Sequence, residues 1–133
     1  MRDISYKSER DVKKQVKKLL TDHKWFWWMP SANGYGTQGV SDIIAFRAGV
    51  LLCAETKFGK NKPTAMQKAF LESIAAESGF GFVVNEKNLP ALAEFLIVFD
   101  RSCQDASGGE KVADEDGATM LQCLHDLTEM VVA

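Results

Sequence analysis

The chain contains only three cysteines, Cys53, Cys103 and Cys123, too few and too widely spaced for a disulfide framework or a close-spaced zinc motif. That poverty points to a reducing interior, cytoplasmic or virus-infected. No stretch approaches the ~18 consecutive apolar residues of a membrane span, and the most apolar helical segment, residues 89–99, is too short. The charged opening residues lead into no apolar core of a signal peptide, so none is expected. Internal repeats and low-complexity tracts are absent. The glycines at 34, 36 and 39 are not followed by Gly-Lys-Ser/Thr, which excludes a nucleotide-phosphate loop. What remains is a 133-residue chain with 46% hydrophobic content, enough for one domain that buries roughly two thirds of its unfolded surface.

The net charge of -2 offers no overall attraction for nucleic acid, but its distribution is uneven. Residues 1–24 carry eight Lys or Arg against four acids, whereas residues 100–133 carry eight acids against Arg101 and Lys111. Local basic potential, not net charge, draws in a phosphate backbone. The periodicity predicts an amphipathic helix over residues 5–20, with Glu9, Val12, Val16, Leu19 and Leu20 on one face and lysines, among them Lys13 and Lys17, on the flanks and opposite face. Glu9 is out of place in an apolar stripe. Such an acid is either paired or functional, or it sits in a first turn where the helix dipole favours it.

Strands are predicted over residues 25–29, 40–47, 50–58 and 80–84, with Ala48-Gly49 as the tight turn of a hairpin. Helices are expected from Pro63 or Thr64 to about residue 78, from the Asn88-Leu89-Pro90 region to about residue 99, and over residues 114–132. Residues 102–109 read as a linker. In the final helix Met120, Leu124, Leu127 and Val131 form a stripe that needs a cover, either this domain or a second subunit. The order helix, strand, strand, strand, helix, strand, helix fits an α/β fold with a central mixed sheet between helices.

The chemistry concentrates in Gly39-Val40-Ser41-Asp42 and Glu55-Thr56-Lys57, two acids separated by twelve residues with a lysine two positions beyond the second. Alternation puts Asp42, Ile44 and Phe46 on one face of the first hairpin strand, and Leu51, Cys53, Glu55 and Lys57 on one face of the second. Phosphodiester hydrolysis needs a placed water, neutralised phosphate oxygens and a stabilised leaving oxygen, all of which bound Mg²⁺ supplies. Magnesium takes hard oxygen ligands. Asp42 and Glu55 are the candidate ligands, joined by the backbone carbonyl of Thr56 and by Glu9. Lys57 is the candidate for orienting water or offsetting phosphate charge, and Gln67 for holding a phosphate or the lysine. Candidate nucleic-acid contacts are Lys13, Lys17, Asn33, Tyr35, Gln38, Ser41, Lys60 and Lys62.

With these residues in this order, the chain resembles the PD-(D/E)XK nuclease superfamily, and within it the stand-alone VRR-NUC nucleases of phages and bacteria. The resemblance runs from Ser5 to Phe99 and rests on Glu9, Gly39-Val40-Ser41-Asp42, Glu55-Thr56-Lys57 and Gln67. The superfamily's proline before the first acid is replaced here by Ser41. The resemblance implies a restriction-endonuclease-like core over residues 1–100 and dependence on Mg²⁺ or Mn²⁺. It implies that Asp42 and Glu55 bind metal, that Lys57 is catalytic and that Glu9 and Gln67 support the site. Stand-alone members are similar to homodimeric Holliday-junction resolvases, which implies branched or four-way-junction DNA as substrate and a second copy as partner. Residues 101–133 lie beyond the resemblance, as a linker and helical extension on the core or on a dimer partner. Three other readings stay open: a non-catalytic nucleic-acid-binding protein of the same fold, flap-type repair cleavage, or a small structural or interaction protein with the C-terminal helix as its contact surface.

Overall fold

A computed structural model describes residues 5–30, 39–108 and 114–132. The elements run α1 (Glu9–Asp22), β1 (Phe26–Trp28), β2 (Ile43–Arg47), β3 (Val50–Thr56), α2 (Ala65–Ala76), β4 (Phe80–Val84), α3 (Leu89–Gly108) and α4 (Asp114–Val132). They form a four-stranded sheet in the order β1-β2-β3-β4, flanked by helices. β1, β2 and β3 are antiparallel neighbours, and β4 joins β3 in parallel across α2, so the sheet is mixed, as expected.

The β2–β3 connection is the two-residue turn Ala48-Gly49, with φ of 51° and 79°. Positive φ at both positions is the hairpin turn whose twist matches that of its strands. It locks Arg47 opposite Val50, and the register runs back to Ile43 opposite Ala54. Extended by one residue, the same register sets Asp42 opposite Glu55.

One face of the sheet contributes Ile43, Ala45, Leu52, Ala54, Phe82 and Val84 to the larger core. The stripe of Val12, Val16 and Leu20 from α1 closes it, with Leu92, Phe95, Leu96 and Phe99 from α3. The other face holds a smaller cluster of Cys53, Leu71, Val83 and Val131, with Ile44, Leu51, Phe70 and Ile74 at its border. Gly81 is what lets α2 lie so close: a Cβ there would stand 2.6 Å from the Leu71 carbonyl oxygen. Met66, in the first turn of α2, is exposed, whereas Phe70 and Ile74 further along the helix pack against the cluster.

The segment over residues 102–109 is not a linker as far as it is described: α3 continues through Gly108. Cys103 extends the spacing of Phe95 and Phe99 by one further turn and packs against the core, and the Ser102 hydroxyl bonds back to the Val98 carbonyl. The stripe of α4 is satisfied within the chain, since Cys123 and Leu127 enter the larger core and Val131 the smaller. None of the three cysteines is in a disulfide. Among the described residues no helix is long and apolar enough to cross a membrane.

Asp100 on α3 ties three elements together. Its carboxylate accepts from the Arg47 guanidinium at the end of β2 and lies 2.6 Å from His23 Nδ1 at the end of α1. Arg47 also donates to the His23 carbonyl. Partial burial pushes the Asp100 carboxyl upward, but Arg47 and His23 outweigh it and hold the group below the usual carboxylate range. A depressed carboxylate stabilises the fold above its unfolded pKa of about 3.9 and loses that contribution as pH falls through its folded value. Asp100→Asn is therefore expected to cost about 1–3 kcal/mol near neutrality. Denaturant titrations of the two proteins should converge once the pH falls below the lowered folded-state value of Asp100.

Candidate metal centre

Asp42 stands one residue before β2, and its backbone N–H donates to Glu55 Oε2 at 3.2 Å. Its own carboxylate is clamped by the neighbouring strand. Both the amide and the hydroxyl of Thr56 donate to Asp42 Oδ2, at 3.0 and 2.7 Å. Asp42 Oδ1 is left facing Lys13 Nζ at 3.8 Å. Thr56 thus meets Asp42 through its hydrogen-bond donors, while its carbonyl was the ligand anticipated from sequence.

Glu55 is 1% exposed, a full carboxylate inside the fold. Gln67 Nε2 donates to its Oε1 at 2.8 Å, and Lys57 Nζ lies 3.5 Å from the same oxygen. Gln67 is held in turn by the first turn of α2. Its backbone N–H donates to Thr64 Oγ1 and its Oε1 accepts from the Thr64 N–H, a reciprocal capping box. Thr64-Ala65-Met66-Gln67 carries that pattern in the sequence, so the helix start and the orientation of the site amide could both have been read from it. Gly39 completes the seating. Its φ is +82°, and a Cβ there would stand 2.7 Å from the Met66 carbonyl oxygen, so the approach to Asp42 is packed directly on the start of α2.

Glu9, from the first turn of α1, closes the group. One carboxylate oxygen from each of Glu9, Asp42 and Glu55 lies within 4.8 Å of the others. Oxygens on opposite sides of a small divalent cation are about 4.2 Å apart, so modest closure brings all three into one shell. The donor set is all hard oxygen, without sulfur or imidazole, which suits a hard divalent cation. These three acids are placed to chelate one.

Without a cation the cluster is electrostatically uneasy. Burial first, and the Asp42 carboxylate second, push Glu55 up to about 7, with Lys57 and the Asp42 amide pulling the other way. Lys13 and Lys57 supply the nearby positive charge.

Of the remaining candidates, Lys17 is half-buried one turn beyond Lys13 on α1, and Lys60 and Lys62 are exposed in the turn after β3. Asn33, Tyr35 and Gln38 lie outside the described residues. Ser41 is a correction: it is buried, and its hydroxyl donates to the Ile43 carbonyl, so it shapes the entry to β2 instead of facing a ligand. The clamps on Asp42 from Thr56 and Lys13 were not anticipated. Both depend on register and helix placement, which local spacing does not encode. No protein-family model matches this chain, and no curated protein matches it.

Two outcomes follow from this geometry. A raised carboxyl favours the fold below its unfolded pKa and loses that contribution as pH rises through about 7. In chelator, wild-type stability should therefore fall between about pH 4.5 and pH 8 by an amount on the order of 3 kcal/mol, and Glu55→Gln should not show the fall. Thermal melts at both ends of that range check it, and added divalent cation should raise the wild-type melting temperature alone. Gly39→Ala meets both a positive φ and a backbone wall, and should cost about 2–4 kcal/mol while reducing the cation-induced shift.

Proposed function

We propose that this protein is a Mg²⁺- or Mn²⁺-dependent endodeoxyribonuclease of the PD-(D/E)XK type, akin to the stand-alone VRR-NUC nucleases. The observation that carries the reading is the joining of Glu9, Asp42 and Glu55 in one cluster with Lys57 beside Glu55. A purely structural Glu–Lys pair at a strand end would not need two further acids converging on it from a helix and a neighbouring strand. When bound, the cation supplies Lewis-acid polarisation of a phosphoryl oxygen and lowers the pKa of a coordinated water.

The protein's own groups do the positioning. Thr56 fixes the Asp42 carboxylate through Oδ2, leaving Oδ1 toward Lys13. Gln67 and the Asp42 amide hold the two Glu55 oxygens in a set orientation. The Lys57 ammonium, mostly buried, keeps a positive charge beside the reacting centre, where it can orient an attacking water and offset charge growing on the phosphate. Lys13, Lys17, Lys60 and Lys62 supply positive charge for the DNA backbone around this site. DNA with a four-way junction and a homodimeric enzyme are the substrate and assembly that the resemblance favours.

Labelled four-way junction, flap and linear duplex, incubated with the protein in Mg²⁺, Mn²⁺ or EDTA, test the reading. Cleavage should require the cation and be lost in Glu55→Gln. Lys57→Ala should slow it about 100-fold or more while keeping the cation-induced stabilisation. Paired symmetric cuts confined to the junction would make the enzyme a resolvase. Cation-independent binding of all substrates with no cleavage would replace the nuclease with a binding protein of the same architecture.

A further inference from the structure

The sheet face that carries the acidic cluster has a second feature. Among the described residues α2 lies over β3 and β4 on that face and α4 runs beside β4, leaving the β1–β2 half without a covering helix. The register pairs Phe26 with Phe46 and Trp28 with Ile44, so Phe26, Trp28 and Phe46 share this face. They are 70%, 38% and 42% exposed. The Trp28 and Phe46 rings lie nearly parallel, 20° apart with centroids at 5.9 Å, and Phe26 tilts against Trp28 at 5.8 Å. An aromatic cluster of this kind is comparable to the largest apolar patch of an ordinary monomer, and such patches are often functional. It is also continuous with the candidate centre. Ile44 and Phe46 share one side of β2 and Asp42 precedes them by the same alternation, which places Phe46 about 13 Å from Asp42, roughly four nucleotides of stacked strand.

We infer that Phe26, Trp28 and Phe46 form a platform on which unpaired bases of a nucleic-acid strand stack as that strand runs toward Asp42. The inference rests on the nuclease reading for the strand's fate at the acids, but not for its binding to the rings. Bases suit this surface for three reasons. Their flat, uncharged faces match exposed rings, and they are not repelled by the nearby carboxylates as a phosphate would be. Stacking tolerates any base, which fits a surface that offers rings in place of a pattern of hydrogen-bond donors. The exposed ring area is roughly 300 Å², well under half of the ~800 Å² that each partner contributes to an ordinary protein–protein interface. The inference makes the substrate one with a single-stranded segment within a few nucleotides of the cut.

The test is equilibrium binding by the full chain, in EDTA to prevent turnover, of a fluorescein-labelled oligo-dT and of a blunt hairpin duplex. Tryptophan emission is followed in the same samples, because Trp25 is buried and Trp28 is exposed. Oligo-dT should bind wild type and quench its emission. Trp28→Ala and Phe46→Ala should each weaken oligo-dT binding about 5-fold or more and lower the ratio of single-strand to duplex affinity. Trp28→Phe should retain most of the affinity while losing most of the quench. Phe26→Ala, at the most exposed ring, serves as a second site should either other variant melt early. Absence of oligo-dT binding by wild type, or unchanged affinity in all three alanine variants, overturns the inference. So does a sedimenting wild-type dimer that Trp28→Ala splits with single-strand affinity intact, because the patch would then serve self-association. Failure of the nuclease reading shows elsewhere, as absence of cation-dependent cleavage by wild type, and leaves these affinity differences standing.

Discussion

The register of the β2–β3 hairpin is the constraint on which the rest of the site depends. Two residues in left-handed conformation, Ala48 and Gly49, close the turn and dictate every cross-strand pair behind it. A slip of one residue would turn Glu55 to the face carrying α1 and α3 and place it in the larger apolar core. With the observed register, Asp42 meets Glu55 through a backbone N–H and meets Thr56 through its carboxylate. Each acid is thereby oriented by the strand that carries the other. The turn lies at the far end of the hairpin from the site it positions, and the intervening pairs transmit the geometry rigidly.

The helices then convert a pair of acids into a candidate metal centre. α2 brings Gln67 to Glu55 through its own N-terminal cap, so one side chain ends a helix and aims a carboxylate. α1, lying on the opposite face of the sheet, reaches the sheet end with Glu9 and Lys13 in successive turns. Burying Glu55 among these groups works against the stability of the empty protein, as its raised carboxyl shows. A divalent cation would reverse that penalty, since burial of a carboxylate is tolerated when a positive charge and hydrogen bonds accompany it. Instability without ligand is a common property of sites selected for chemistry over packing.

Much of this was legible in one dimension. The order of elements, the hairpin, the face of its own strand on which each of Asp42 and Glu55 stands and the apolar stripe of α1 all follow from periods of two and of 3.6 residues and from turn chemistry. Other features were hidden for identifiable reasons. Polar residues after Phe99 read as a linker, yet α3 continues because Cys103 still finds the core one turn on. Ser41 looked available to a ligand because its side chain is small and polar, but a serine entering a buried strand bonds to its own backbone. The Asp100 network joins residues 77 and 53 positions apart, and no local pattern announces it.

The sequence by itself determined the residue types of the site, their order and the strand faces on which they stand, because those depend on covalent spacing and backbone period. Only the tertiary structure decided that Glu9 crosses from a helix on the opposite face to join Asp42 and Glu55. It also decided that Gln67 orients Glu55, and that three aromatic rings on β1 and β2 stay partly exposed. Those outcomes depend on where helices dock against the sheet. Docking is set by the summed burial of side chains far apart in the chain, such as Val12, Leu52 and Phe95 in the larger cluster, and no short segment contains that sum.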